Sequence, residues 1–202
     1  MEEHQKKDGI LRHLRAIPPR TRTIIFGETK AEVDDLVRML RMEGFRAVGI
    51  HGDKKQSERD WVLNEFRTGG HTIMIATDVA SRGLDIKDIK FVINYTFPKD
   101  IESYIHRIGR TGRKTNEGYN EGTAISFFTS ASSSLAGKLV DILREAQQDI
   151  PPEILQYVRP SHGSGGRGGG RFGGGRGGGG SRFGGGYRGN GANAIPLGGS
   201  RH

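Results

Sequence analysis

Residues 106–113 read His-Arg-Ile-Gly-Arg-Thr-Gly-Arg and place three arginines and a histidine on a segment that two glycines interrupt. An arginine guanidinium suits phosphate because it donates two parallel hydrogen bonds and stays charged at any working pH. If residues 101–108 form a helix, four side chains share one apolar stripe: Ile101, Tyr104, Ile105 and Ile108. His106 and Arg107 then face the other way, free for a ligand. The segment is a candidate phosphate clamp, and the alternative is a solvated basic helix end capped by glycine.

Composition divides the 202 residues into two parts. Residues 163–191 are mostly glycine and arginine, no acidic residue follows Glu153, and seven arginines lie beyond residue 158. About +1 of the formal net charge of +8 therefore belongs to residues 1–158. We expect a folded domain over residues 1–158 and a disordered tail over residues 159–202, because glycine-rich sequence buries too little apolar surface to offset chain entropy.

The absence of cysteine excludes a disulfide framework and thiolate metal sites. The first residues lack the apolar core of a signal peptide, and no apolar run approaches the length of a membrane span. We expect an intracellular protein, nuclear or cytoplasmic with the nucleus favoured, that is monomeric and has no membrane partner.

Short apolar runs alternate with amphipathic helical patterns as far as residue 148. The predicted strands are residues 23–26, 47–50, 73–76, 91–95 and 123–128. The helical patterns cover residues 3–16, the segments that contain residues 33–40 and 61–66, residues 101–108 and residues 133–148. Continuous apolar strands separated by helices indicate a parallel sheet that is covered on both faces. The predicted fold class is α/β, an open parallel-sheet three-layer sandwich. Trp61 is predicted to face the core with Val62 and Phe66, and the alternative is a platform on which nucleic-acid bases stack.

Polar clusters follow the apolar runs at residues 27–30, 51–53 and 77–78. Ligands of such sheets bind outside the carboxyl ends of the strands, so these clusters and the 106–113 segment should share one edge of the domain. Asp78 is interpreted as the N-cap of a following helix. Asp53 could also cap a helix, and Arg59 could pair with Glu58 or Glu65.

Residues 106–113 resemble motif VI of the DEAD-box RNA helicases letter for letter. Residues 77–85 resemble motif V, residues 51–59 the HGD block and residues 25–30 motif IV, in the order of that family. The resemblance covers about residues 3–158 and implies a RecA-like fold of the P-loop NTPase type, the second of two such halves. No GxxxxGK[ST] or Asp-Glu-Ala-Asp sequence occurs. We therefore expect a fragment that lacks the ATP-binding first half and is inactive alone.

The resemblance implies that ATP and single-stranded RNA close the two halves on each other. Arg110 and Arg113 would be arginine fingers that contact the γ-phosphate, and Asp85 would contact the ribose of ATP. The missing half would bind most of the ATP and its Mg²⁺, and His106 and Arg107 would meet that half. RNA-backbone contacts independent of base sequence would come from Gly52, Asp53, Gln56, Arg59, Thr77, Arg82 and Gly83.

Two further stretches carry expectations of their own. Residues 114–122 are about four residues longer than the family usually has, and a solvent loop containing Tyr119 should bulge there. In the tail, arginines beside aromatic residues suit sequence-tolerant RNA contact, and the alternative is an inert linker. The candidate RNA-binding residues of the tail are Arg167, Arg171, Phe172, Arg176, Arg182, Phe183, Tyr187 and Arg188.

Three functions follow from these patterns. The first is the C-terminal half of an ATP-dependent RNA helicase that unwinds or remodels RNA duplexes and ribonucleoproteins. The second is a non-catalytic RNA-binding or condensate scaffold. The third is half of a DNA helicase, against which the RNA-helicase form of residues 106–113 argues.

Overall fold

The computed structural model describes residues 1–81, 86, 89–112, 114–115, 118–119 and 121–158. The strands are β1 (Thr23–Phe26), β2 (Ala47–Ile50), β3 (Ile73–Ala76), β4 (Phe91–Asn94), β5 (Lys114–Thr115), β6 (Gly118–Tyr119) and β7 (Thr123–Ser126). The α-helices are α1 (Lys6–Ala16), α2 (Lys30–Met42), α3 (Gln56–Thr68), α4 (Asp78–Ser81), α5 (Ile101–Ile108), α6 (Ala136–Glu145) and α7 (Pro152–Leu155). Short 3₁₀ helices, Glu3–Gln5 and Ser130–Leu135, precede α1 and α6.

Five strands form a parallel sheet in the order β2-β3-β1-β4-β7. The central strand β1 is buried throughout, and its side chains alternate between the two faces. Ile25 joins an apolar cluster with α1 and α2, whereas Ile24 and Phe26 join a second cluster with α3 and α4. A third cluster joins α5, α6 and α7. The predicted three-layer α/β sandwich is confirmed, because both sheet faces are covered by helices.

Local signals fix where the helices begin and how closely they pack. The hydroxyl of Thr29 accepts a hydrogen bond from the Glu32 amide at 3.1 Å and caps α2. Gly49 of β2 allows α2 to approach the sheet, since a Cβ there would lie 2.9 Å from Val37 and 3.0 Å from Val33. These contacts hold α2 against β2, whose carboxyl end leads into the HGD block.

Trp61 does not face the core, and the prediction that it does is wrong. Its side chain is 51% exposed, because Val62 and Phe66 form the buried face of α3 and Trp61 lies outside that face. Helical spacing does not place Trp61 on the face that Val62 and Phe66 form, since neighbouring residues along a helix point about 100° apart.

The other predicted elements differ mainly at their ends. The last strand stops at Ser126, and the predicted helix near residues 133–148 is a 3₁₀ turn followed by the shorter α6. Within residues 114–122, β5 and β6 pair as a short antiparallel ladder. Among the described residues, no helix is long and apolar enough to span a lipid bilayer.

Candidate functional site

The loops that follow the sheet strands are tied to one another at the carboxyl edge. Lys30 forms an ion pair with Asp53, which joins the loops after β1 and β2. Lys99 Nζ lies 2.6 Å from Glu28 Oε1, which joins the loops after β1 and β4, and Thr96 Oγ1 donates to Glu32 Oε1 of α2 at 2.6 Å. The predicted shared edge therefore exists, and side-chain pairs hold its loops together.

Arg107 lies inside the domain, with 3% of its surface exposed. Its guanidinium donates from Nε to Asp78 Oδ1 at 2.6 Å and from Nη2 to Asp78 Oδ2 at 2.7 Å. Nη1 donates to the Thr96 carbonyl at 2.7 Å and to Asn94 Oδ1 at 3.3 Å. The guanidinium also lies 5.0 Å from the centre of the Phe26 ring. These contacts explain how a charged side chain is stable when buried.

This placement corrects the expectations for Arg107 and Ile105. Arg107 does not project from the exposed side of the helix, because its guanidinium donates to residues of its own domain. Its contact with a first RecA-like half stays a prediction. Ile105 of the predicted apolar stripe is 46% exposed instead. The helix is rotated from the predicted orientation because hydrogen bonds to Asp78 and Thr96 compensate for burial of the charge.

Asp78 is not an N-cap, so that interpretation is also wrong. It is the first residue of α4, and both of its carboxylate oxygens accept hydrogen bonds from Arg107. The pair connects α4, which begins just after Thr77, to α5, which ends just before Arg110. Segments that resemble motifs V and VI are therefore joined by a buried ion pair. Sequence reasoning missed this pair because the two residues are 29 positions apart.

α5 and its C-terminal turn position Arg110. Asp100 caps the helix by accepting hydrogen bonds from the Ser103 amide at 2.7 Å and the Ser103 hydroxyl at 2.9 Å. These bonds, the amide bond first, lower the pKa of the Asp100 carboxyl below its usual value. Beyond the helix, the Arg110 amide donates to the Arg107 carbonyl at 3.1 Å. The turn thus extends directly from the buried Arg107 to Arg110.

His106 and Arg110 line one small pocket together with Phe26 and Asp78. His106 is exposed and Arg110 is half-buried. Thr111 Oγ1 donates to the Ile89 carbonyl at 2.6 Å and anchors the following turn. A guanidinium at the rim of an anchored turn can donate hydrogen bonds to a phosphate group, which is what the sequence predicts for Arg110.

The candidate RNA residues of the HGD block lie around the start of α3. Gly52 and Asp53 are exposed, and the hydrogen bond from Lys30 is the main reason that the pKa of Asp53 is lowered. Gln56 Nε2 donates to Asp60 Oδ1 at 2.8 Å. Asp53 does not cap α3, since the N-cap is Lys55. Gly52, Asp53 and Gln56 therefore sit on the loop and first turn at the edge.

Two buried nitrogen atoms near this turn have no hydrogen-bond partner among the described residues. They are Arg59 Nε and His51 Nδ1. Arg59 makes no ion pair with Glu58 or Glu65 within that part of the chain, so the alternative pairing is wrong. The other ring nitrogen of His51 lies 3.2 Å from Asp34 Oδ1, a contact that sequence reasoning missed. A buried donor without an acceptor costs free energy, and a ligand that accepts a hydrogen bond from Arg59 Nε would remove that cost.

Thr77 is half-buried at the carboxyl end of β3. Its amide donates to the Ile50 carbonyl at 3.3 Å, and its carbonyl accepts from the Ser81 amide at 3.0 Å. These bonds fix Thr77 next to the end of β2. The remaining predicted residues, namely Arg82, Gly83, Asp85, Arg113 and those of the tail, lie outside the described residues.

The edge carries cations suited to phosphate, and several of its carboxylates are paired with a basic side chain. Within the described ranges, no group of three or more His, Asp or Glu side chains is arranged to hold a metal. Arg110 fits the phosphates of ATP by the chemistry of its donors.

Comparison with known proteins places these features in a family. Residues 5–115 match the helicase conserved C-terminal domain. The chain is 52% identical to the ATP-dependent RNA helicase DBP2 of Meyerozyma guilliermondii, over 100% of the chain and 37% of that protein. It is 51% identical to the ATP-dependent RNA helicase dbp2 of Aspergillus niger, over 100% of the chain and 36% of that protein. The chain thus spans a little over a third of these relatives.

Solved structures agree with the sequence relatives. The yeast DEAD-box splicing factor Prp28 has a TM-score of 0.69 and 34% identity, over 77% of the chain and 34% of Prp28. The E. coli DEAD-box protein SrmB, solved with the regulator of ribonuclease activity A, has a TM-score of 0.61 and 31% identity, over 76% of the chain and 88% of SrmB. From its sheet order, its arginine-bearing edge and these matches, the chain belongs to the helicase C-terminal domain family, as the second RecA-like half typical of DEAD-box RNA helicases.

Proposed function

We propose that the chain is the C-terminal half of an ATP-dependent RNA helicase that remodels RNA duplexes and ribonucleoproteins. One observation carries the proposal. The Asp78–Arg107 pair joins the segment that begins after Thr77, a candidate RNA contact, to the turn that carries Arg110, a candidate ATP contact. A displacement at one segment is thereby passed to the other, as coupling of RNA binding to ATP hydrolysis requires.

Arg110 acts on ATP under this proposal, together with Arg113. ATP with its Mg²⁺ would supply the phosphoryl group, whose charge is spread over its three oxygens in the transition state. Arg110 stays protonated and donates hydrogen bonds toward that charge, while the anchored turn limits its reorganisation. His106, exposed beside Arg110, contacts a first RecA-like half that holds most of the ATP and its Mg²⁺. Asp85 takes the ribose of ATP, as the family resemblance implies.

RNA binds across the loops after β2 and β3. Arg59 supplies an unsatisfied donor, and Gln56 and Thr77 supply polar groups at the same edge. The backbone of Gly52 and Asp53 and that of Gly83, with Arg82, complete a path of phosphate contacts that does not read bases. Asp53 itself pairs with Lys30, so its carboxylate orders the loop and does not repel phosphate.

The tail, residues 159–202, tethers RNA through its arginines and aromatic residues, outside the folded domain of residues 1–158. Phosphate attraction and stacking are both tolerant of sequence, which suits a helicase that acts on many RNAs. The chain works as a monomer beside its first RecA-like half.

Adding the first RecA-like half in trans provides the test. Replacing Arg110 by alanine should lower the ATP turnover rate by about 10³- to 10⁵-fold, and lysine should rescue poorly because it lacks the planar fork. RNA affinity without nucleotide should hardly change. Arg59→Ala should do the reverse and weaken RNA binding first.

Arg12→Ala, on the exposed surface of α1, is the matched control and should change neither quantity. The chain without the added half should hydrolyse no ATP. If Arg110→Ala weakens nucleotide-free RNA binding as much as Arg59→Ala and leaves turnover intact, Arg110 belongs to the RNA path and the proposed role in catalysis is wrong.

A further inference from the structure

Trp61 exposes its indole on the outer side of α3, and a neighbouring ring supports it there. The His71 ring meets the indole edge-on, with 5.8 Å between ring centres and an interplanar angle of 64°. His71 Nδ1 lies 2.9 Å from Glu65 Oε2, so the imidazole is itself held against α3. The indole is therefore supported from one side while half of the residue remains exposed. Tryptophan is enriched among the residues that dominate binding energy at protein interfaces.

The helical neighbours of Trp61 are acidic or uncharged. On a helix, side chains three and four positions apart are neighbours, whereas those one or two positions apart do not face each other. The neighbours of Trp61 along α3 are therefore Ser57, Glu58, Asn64 and Glu65. Glu58 is exposed, and it forms no ion pair with a basic side chain in the part of the chain that the structure describes. We refer to Glu58, Trp61 and Glu65 as the Trp61 patch.

Basic side chains near the patch do not lie on this face of the helix. Arg59 and Arg67 are about 160° and 120° around α3 from Trp61, respectively. Arg46 Nη1 donates to the Gly70 carbonyl at 3.4 Å, on the loop that follows α3. The patch is thus an aromatic ring between two carboxylates along the helix. A cationic ligand complements it, whereas an acidic peptide or an RNA phosphate would be repelled by both carboxylates.

The chain itself contains such a ligand in its tail, residues 159–202. The tail has seven arginines and no Asp or Glu, and several of its arginines adjoin an aromatic residue, as in Arg171-Phe172 and Arg182-Phe183. Among aromatic side chains tryptophan gives the strongest cation–π contact, and arginine is its commoner partner. A guanidinium also donates two parallel hydrogen bonds to a carboxylate. Arginine therefore suits both the ring and the carboxylates of the Trp61 patch.

The tail is long enough to reach α3 from the end of the domain. Twenty-three residues lie between Val158 and Arg182. An extended chain of that length spans at most about 75–80 Å, whereas a domain of this size is about 40 Å across. Covalent attachment makes the contact intramolecular, with an effective concentration of the tail on the order of millimolar. Contacts that are individually weak are then enough to hold the tail on the patch.

We infer that the Trp61 patch is a docking site for the arginine-rich tail of the same chain. A guanidinium of the tail stacks on the open face of Trp61 and donates hydrogen bonds to Glu58 or Glu65. Gln56 and Arg59 lie on the same helix, so the docked tail is held near the start of the proposed RNA path. That consequence rests on the proposed function, whereas the docking itself does not.

A spin label on the tail tests the docking, because the chain has no cysteine and one tryptophan. In Ser181→Cys a nitroxide is attached beside Arg182, and the indole N–H of Trp61 gives a single NMR signal in the ¹⁵N-labelled chain. The nitroxide should broaden that signal at low salt. The control chain has the same label and serine in place of every tail arginine, so it measures the broadening from chance encounters. The broadening should be at least about twofold greater with the arginines, as one exposed cation–π contact provides.

A second pair of variants locates the contact on the domain. Glu58→Gln combined with Glu65→Gln should remove most of the arginine-dependent broadening, and glutamine at position 58 keeps the hydrogen bond to the Lys55 amide at the start of α3. Asp35→Asn combined with Asp141→Asn removes the same charge from exposed positions elsewhere and should leave the broadening unchanged. The remaining amide signals show whether each variant is folded.

Three results would overturn the inference. The first is equal broadening with and without the tail arginines, and the second is an equal effect of the two double variants. The third is the same broadening in a mixture of ¹⁵N-labelled chains without nitroxide and unlabelled chains with it, which would assign the contact to the tail of a second copy. No RNA is present in these measurements, so such a failure would not bear on the proposed RNA path.

Discussion

Removing the carboxylate from the buried Asp78–Arg107 pair should be far more costly than removing one from an exposed pair. In Asp78→Ala, Arg107 keeps its hydrogen bonds to Thr96 and Asn94 but loses the carboxylate with which it forms an ion pair. Breaking a buried ion pair by removing one partner costs about 3–5 kcal/mol. Asp78 is 37% exposed, so water can reach the stranded guanidinium, and we expect the lower end, about 3 kcal/mol.

Asp35→Ala is the matched control. Asp35 pairs with Arg38 at 3.1 Å, but these side chains are 71% and 72% exposed, respectively. Such pairs contribute about 0.2–1 kcal/mol. Both variants remove an aspartate that pairs with an arginine, but the Asp35–Arg38 pair lies on the exposed surface of one helix, whereas Arg107 is buried.

Urea unfolding, followed by circular dichroism and by the fluorescence of Trp61, measures both free energies of unfolding. With a slope near 2 kcal/mol per molar urea, Asp78→Ala should lower the midpoint by about 1.5 M and Asp35→Ala by at most about 0.5 M. Added salt should reduce the destabilisation caused by Asp35→Ala and leave most of the destabilisation caused by Asp78→Ala, since buried charges are screened less. Equal midpoints for the two variants would refute the reasoning that the pair joins α4 to α5.

Three other perturbations have definite expected outcomes. Gly49→Ala should destabilise the fold by about 1–3 kcal/mol in urea unfolding, because the added Cβ would meet Val33 and Val37 of α2. Gly137→Ala is the control and should not destabilise the fold, since its Cβ would meet open space. Equal destabilisation by the two variants would contradict the close approach of α2 to β2. Burial raises the pKa of Tyr95 to about 12, so stability should fall as pH rises from about 10 through 12, where the unfolded chain releases the Tyr95 proton more readily. Tyr95→Phe should reduce that loss of stability with pH, and an unchanged pH profile in the variant would contradict the assignment to Tyr95. Truncation after Val158 should weaken RNA binding. It should also reduce the slope of log K against log salt concentration by up to about 0.7 for each of the seven arginines removed. Equal slopes for the truncated and the full chain would make the tail a linker.

The sequence by itself determined the fold class, the edge that carries the polar loops and the family resemblance. Continuous apolar runs such as those of β1 and β3 can be buried on both faces only in a covered parallel sheet. Once the strands are parallel, the loops after them must meet at one edge. The chemistry of residues 106–113 also follows from composition alone, because three arginines in eight residues suit phosphate wherever the segment lies.

Only the tertiary structure decided which side chains of those segments face inward. Periodicity gives the angle between residues on a helix but not which direction meets the core, and it predicted Ile105 and Trp61 as buried and Arg107 as exposed. Arg107 is buried because Asp78, 29 residues away, and the Thr96 carbonyl satisfy its donors. Trp61 is exposed because Val62 and Phe66 already fill the contact between α3 and the sheet. Partners that are distant in sequence set the free energy of burial for each side chain, and the local spacing of residues does not predict those partners.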